Sequence, residues 1–169
     1  PLSSFLTGYQ SDNDNIGMLN AIPHGGPNNP QLQSQTIVQW IIPDSGITQA
    51  LEIPGVTSLS ANQVYMSSTA PLGGYAVWTG DAGIVVGKGF QSDPSQEFYI
   101  AFTVQLENGK WATIVDPNPI PALTTLNGNQ AAYLMMVAAT YNETTGTMAL
   151  YINGTLVSEA TLPSSCPKA

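Results

Sequence analysis

The stretch Tyr133–Thr155, YLMMVAATYNETTGTMALYINGT, constrains the fold of this chain more than any other. Two apolar runs, LMMVAATY and TMALYING, flank a polar turn, NETTG. Both runs are rich in residues that pack well on a pleated surface, and the Asn, Thr and Gly between them favour a turn. The pattern predicts two adjacent antiparallel strands on a curved sheet.

The rest of the chain is punctuated in the same way. Thirteen prolines and 16 glycines are spread evenly through 169 residues, which leaves little room for long helices. Only Ile16 to Ile22 has helix-like spacing, and it is short. Strands are predicted over Thr36–Ile42, Ala50–Ile53, Gln63–Met66, Tyr75–Thr79, Gly83–Val86, Glu97–Leu106, Trp111–Val115, Tyr133–Tyr141, Thr147–Ile152 and Thr155–Ala160. Short strands at such spacing predict one all-β domain, a sandwich or barrel. Asn108-Gly109 and Asn153-Gly154 each mark a tight hairpin, because both residue types tolerate left-handed backbone.

Alternation sets the expected faces. In Glu97–Leu106, the residues Phe98, Ile100, Phe102, Val104 and Leu106 should point to the core, with Tyr99, Ala101, Thr103 and Gln105 outward. In Thr147–Ile152, Met148, Leu150 and Ile152 share one side and Ala149 and Tyr151 the other, with packing expected on both. The first 49 residues are loop-rich and read as an extension that contributes one strand, Thr36–Ile42. Its apolar run needs burial; Gln39 should lie on the outer face or at an edge, and Pro43 should end the strand.

Composition narrows the partners. Charged residues make up 8% of the chain, there are three lysines and no arginine, and the formal net charge is −8. Such a surface repels phosphate backbones and anionic lipid, which argues against nucleic acid and membrane partners. No apolar run reaches the roughly 20 residues of a membrane span. Neutral glycans, cations or basic surfaces, a basic protein surface among them, fit better. The chain begins at Pro1 without a Met, which reads as a processed or trimmed product, and secretion is the expected setting. Cys166 is the single cysteine, so no internal disulfide forms. Asn142 and Asn153 begin sequons beside predicted turns.

Four landmarks in order carry a family resemblance. They are ALEIPGVTSLSA, then GIVVGKG, then FYIAFTVQLENGKW, and finally the VAATY and LYING strands. Together they span roughly residues 50–162 and resemble the laminin G-like domain of the concanavalin A-like lectin/glucanase superfamily. The resemblance implies a two-sheet antiparallel jelly-roll sandwich. It also implies a sugar-binding or adhesion role, and often calcium on the rim. Members of that family continue past the LYVNG strand with a further strand pair, whereas this chain stops at Ala169. Thr36–Ile42 is the best internal substitute, and another chain is the alternative. The segment before VAAT lacks the family's usual aromatic and histidines and carries Leu134, Met135 and Met136 instead. That replacement points to deeper packing or to a partner.

Candidate sites follow from residue chemistry. Trp78, next to the turn-like Thr79–Gly83, is the expected stacking surface for a sugar ring, with Asp81 and Asn118 to read hydroxyls. Both Trp78 and Trp111 lie in or at the start of a strand, so a core role is the competing reading for each, and Trp78 is the better candidate for exposure. Calcium, if bound, would take hard oxygen ligands from Asp12, Asp14 and Asp81. The competing explanation for these Asx residues is local turn capping. The paired carboxylates of a glycosidase are not apparent, because Glu52, Glu97, Glu107, Glu143 and Glu159 are widely spaced. His24, the single histidine, sits in a Gly/Pro/Asn loop without a nucleophile elbow. Lys88 reads as a structural or surface charge in a Val86–Gly89 turn. The expectation is a non-catalytic, lectin-like carbohydrate-binding or adhesion module. A self-associating structural protein is the second reading, and a polysaccharide-active enzyme of the same fold is the third.

Overall fold

The structure is a computed structural model that describes residues 34–41, 47–79, 81–91, 97–120 and 135–163. The strands are β1 (Ser34–Ile41), β2 (Tyr65–Ser67), β3 (Tyr75–Thr79), β4 (Ala82–Lys88), β5 (Phe98–Gln105), β6 (Trp111–Val115), β7 (Met135–Asn142), β8 (Thr147–Ile152) and β9 (Thr155–Thr161). They form two antiparallel sheets, a four-stranded one ordered β1-β7-β8-β9 and a five-stranded one ordered β2-β6-β5-β4-β3. The sheets pack face to face, with β1 over β4 and β9 over β6. The fold is thus the expected all-β sandwich. The helix-like segment Ile16–Ile22 lies outside the described residues.

Local chemistry sets the hairpins. At Asn153-Gly154 both residues adopt positive φ, 51° and 80°. This suits a two-residue loop between twisted strands. Gly109 (φ 77°) and Gly146 (φ 69°) play the same part at the β5–β6 and β7–β8 turns. In the β7–β8 turn, Gly146 N–H donates to Asn142 C=O at 2.7 Å, and Thr145 N–H donates to Asn142 Oδ1 at 3.2 Å.

Between the sheets lies the main core. Ile84, Val86, Phe98, Ile100, Phe102, Val104 and Ile114 from one sheet meet Ile37, Ile41, Val137, Met148 and Leu150 from the other. The apolar row of β5 therefore points inward as expected. Its other row is not outward in the sense of being wet. Ala101 and Thr103 are fully buried. The cause is a strap, residues 51–60, laid across the outer face of the five-stranded sheet, whereas Ile47 and Val64 on either side of it belong to the main core. Leu51, Ile53 and Val56 of this strap pack on Val85, Ala101 and Val115 to make a second apolar cluster. The central strands β4, β5 and β6 of the five-stranded sheet are buried on both faces, while the edge strand β3 stays partly open.

The strap is the main departure from the expected elements. Ala50–Ile53 does not form a strand. It makes only isolated bridges, Leu51 to Phe90 and Glu52 to Leu72. Its apolar residues sit on the face of a sheet and do not extend its edge. Gln91 pins the strap by donating from its side-chain amide to the carbonyls of Ile53 and Val56. Lys88 is likewise not in a turn but is the last residue of β4.

β1 forms an edge of the four-stranded sheet, paired with β7 from Ser34↔Asn142 to Ile41↔Met135. Ile42 lies outside the described residues. Only alternate residues of the apolar run are buried. Ile37 and Ile41 are in the core, whereas Val38 and Trp40 are 56% and 54% exposed. The expected burial of the whole run fails because a strand alternates its faces. Gln39 belongs to an edge strand, but on its inward face with Ile37 and Ile41, and its amide donates to Trp40 C=O at 3.1 Å.

The open side of β1 can be read from the ladder. Met136 N–H donates to Asn153 Oδ1 at 2.9 Å, and Met136 C=O accepts Asn153 N–H at 2.8 Å. Even-numbered residues of β7 therefore turn their backbone groups toward β8, and odd-numbered ones toward β1. By the same alternation, Thr36, Val38 and Trp40 of β1 present N–H and C=O to the outer edge.

Gly87 is where the strap comes closest to the sheet. A Cβ there would lie 2.0 Å from Leu51 N and 2.5 Å from Leu51 Cα. Those are backbone atoms, so no side chain can turn aside. We expect Gly87→Ala to lift the strap and destabilise the fold by about 1–3 kcal/mol, the usual cost of overpacking. Urea unfolding checks this, and a variant as stable as the parent would show that the strap is not tightly seated.

Candidate functional site

The strap covers only part of the outer face. Register divides that face into rows across the sheet. One row is Ala76, Val85, Ala101 and Val115; the last three lie under the strap, whereas Ala76 on β3 is exposed. The next row is Trp78, Gly83, Thr103, Thr113 and Tyr65. Beyond it come Gln105, Trp111 and Ser67 at the end of the sheet.

In these last two rows the cover is aromatic. Trp78 stands opposite Gly83, and its indole leans over that glycine. A Cβ on Gly83 would be 2.4–2.8 Å from three carbons of the indole. Trp111 opens β6, and its ring meets that of Trp78 edge-on, with centroids 5.5 Å apart and planes at 72°. This is the favoured T-shaped geometry of two quadrupoles. Both rings are half-buried, so each keeps some surface in contact with solvent.

Beneath the rings the polar groups are satisfied internally. Thr103 and Thr113 are fully buried and face each other across β5 and β6. Their hydroxyl oxygens are 2.9 Å apart, and Thr103 Oγ1 donates to Ala112 C=O at 3.2 Å. With Thr113 donating to Thr103, each hydroxyl has a partner, so the floor asks nothing of a ligand. Tyr65 ends this row. Its hydroxyl accepts Ser60 N–H at 2.6 Å and donates to Ser58 C=O at 3.3 Å, tying the strap to β2.

Of the residues expected to form a site, Trp78 and Asp81 are brought to the same end of the sheet. Asp81 is half-buried in the β3–β4 turn, and its carbonyl accepts Gln105 N–H at 2.6 Å. This bond holds Asp81 beside Gln105, which is itself opposite Trp111. Asn118 is elsewhere. It follows the far end of β6, and at about 3.4 Å per residue the length of that strand separates it from Trp111 by more than roughly 13 Å. Its backbone N–H and its side-chain amide both donate to Asp116 Oδ1, at 2.9 and 3.2 Å, as a turn cap.

Asp12 and Asp14 lie outside the described residues, as do His24 and Cys166. Among the described residues no group of three or more His, Cys, Asp or Glu side chains stands together to hold a metal. Trp111 and Gln105 were not expected in a site. The Asn108-Gly109 hairpin, which fixes Gln105 opposite Trp111, was the signal that could have joined them. The chain matches no protein-family model, no curated protein and no solved structure.

Because the indole of Trp78 fills the space above Gly83, the aromatic corner depends on that glycine. Gly83→Ala should displace Trp78 and uncouple the two rings. We expect loss of the exciton couplet that closely spaced indoles give in far-ultraviolet circular dichroism, with the sheet otherwise retained. An unchanged couplet in Gly83→Ala would contradict the described packing.

Proposed function

We propose that this chain is a non-catalytic, lectin-like carbohydrate-binding or adhesion module, in keeping with its resemblance to laminin G-like domains. The observation that carries the reading is the Trp78–Trp111 corner, with Asp81 and Gln105 beside it on the rim. A pyranose has an apolar C–H face that stacks on an indole, while amide and carboxylate groups at the edge bind its hydroxyls. A chain with few charges and a net charge of −8 suits a neutral ligand. A secreted setting fits this role. The test is run with and without calcium, because Asp12 and Asp14, expected with Asp81 as its ligands, lie outside the described residues.

A glycan array followed by calorimetry tests the reading. We expect a neutral saccharide to bind with sub-millimolar Kd, about −4 to −6 kcal/mol. Trp78→Ala should weaken it at least about tenfold, with a smaller loss for Asp81→Asn. Failure of every glycan to bind below millimolar concentration, with and without added calcium, would sink the proposal.

A specific observation favours a second reading, that of a subunit in an assembly completed by self-association. β1 is an eight-residue edge strand, SQTIVQWI, without charge or proline. The opposite edge, β9, carries Glu159 and a register shift, two devices that discourage strand addition. β1 lies over β4, so a strand added beyond β1 would lie over β3 and match four strands to five. The added strand would come from another copy of the chain. Light scattering should then show concentration-dependent association that Val38→Lys abolishes without lowering the melting temperature. A strictly monomeric parent at high concentration removes this second reading.

A further inference from the structure

On the reading of a subunit completed by self-association, we infer that two copies interlock about a two-fold axis running along the strands, with β1 of each copy pairing with β3 of the other. The sandwich is built from sheets of unequal width, and its two unprotected edges lie on the same side.

The unequal width leaves a step. β1 lies over β4, so β3 projects beyond β1. Alternation gives β3 two faces. Trp78 packs on the strap cluster and Ala76 pairs with Val85, which places both on the outer face. Tyr75, Val77 and Thr79 face inward, opposite Val86, Ile84 and Ala82 of the main core. These three inward residues stay partly exposed, whereas their neighbours on β4 are fully buried. Among the described residues, no strand of the four-stranded sheet covers the inner face of β3.

Both edges at this step are open. β1 turns the backbone groups of Thr36, Val38 and Trp40 outward, and among the described residues only the Gln39 amide meets them, at Trp40 C=O. β3 has β4 on one side and an edge on the other. Neither strand, SQTIVQWI or YAVWT, carries a charge. The opposite side of the sandwich is closed. There Glu159 N–H of β9 donates to Asn62 Oδ1 at 2.9 Å, and β2 is only three residues long. Two chains of net charge −8 repel each other, so an uncharged side is where two copies can meet.

Symmetry then selects the pairing. Joining β1 to β1 of a second copy in one continuous sheet fails, because the two projecting β3 strands would fall in the same space. A two-fold axis along the strands avoids the collision. It turns the second copy over, so that the five-stranded sheet of one continues the four-stranded sheet of the other. β3 of the second copy fills the place beside β1, and β1 of the second copy fills the place beside β3. Each layer then holds four strands of one copy and five of the other. Tyr75, Val77 and Thr79 of the two copies face each other and join the two cores. The contact is isologous, so the assembly closes at two.

Sedimentation velocity on the whole chain, over a wide range of concentration, tests this. The expected result is an equilibrium between monomer and dimer that goes no further. Val77→Lys puts a charge into the shared core, and Ala76→Lys puts one on the outer face of the β3 edge. Each should weaken dimerisation at least about tenfold. Ala76 is exposed, so its variant keeps the test open if Val77→Lys fails to fold. Assembly that continues past the dimer overturns the interlock. Dimerisation that Val38→Lys abolishes but Ala76→Lys and a folded Val77→Lys leave untouched overturns the pairing with β3, and the self-association reading stands. A strictly monomeric parent removes that reading and this inference with it.

Discussion

The central strands of the five-stranded sheet are buried on both faces, and the rest of the structure depends on this. A sheet in a sandwich normally keeps one face wet and alternates accordingly. Here β4 runs Ala82, Gly83, Ile84, Val85, Val86 and Gly87 without an exposed position. Two glycines make the second layer possible. Gly87 admits the backbone of the strap, and Gly83 admits the indole of Trp78. Hydrophobic burial on the outer face then fixes where the strap must stop, and the tryptophans take over where it does. The apolar area removed from water by the two layers is worth about 25 cal/mol per Å².

The four-stranded sheet follows the simpler rule. Its strands alternate, as the burial of β7 shows, with Met135, Val137, Ala139 and Tyr141 inside and their neighbours half-exposed. Its outer face carries a continuous row of Val38, Ala138, Tyr151 and Leu156, fixed by register across all four strands. Val38 and Leu156 at the two ends of that row are the most open, at 56% and 47%. The two sheets thus differ in kind. One is sealed twice, and the other is sealed once and ends in a regular edge.

Most of the fold was legible in the sequence because its signals are local. The left-handed backbone at Gly109 and at Asn153-Gly154 follows from residue type, and the inward row of β5 follows from alternation. What was not legible lies between distant segments. Leu51 and Ile53 alternate like a strand, and nothing local shows that they pack on a face instead of joining an edge. Thr103 reads as an outward polar residue until the strap and the tryptophans cover it. The separation of Asn118 from the aromatic corner was legible as well. Trp111 and Asn118 flank the same short strand, so they must lie toward opposite ends of the sheet. Trp78 and Trp111 are both visible in the sequence, but their contact depends on β4 and β5 lying between β3 and β6. That ordering is tertiary information.

The two aromatic surfaces of the molecule differ in shape and in the polar groups beside them. Trp40 and Val38 lie on an open sheet face, beside backbone groups at an uncharged edge. Such a surface has breadth but no concavity, and what it offers is hydrogen bonding along a strand. That suits another polypeptide. Trp78 and Trp111 form a corner instead, above threonines that already satisfy each other. The polar groups beside the corner lie on the rim, where the Asp81 carbonyl accepts the Gln105 N–H. That pairing of apolar rings with polar groups on one side is what the proposed glycan reading rests on.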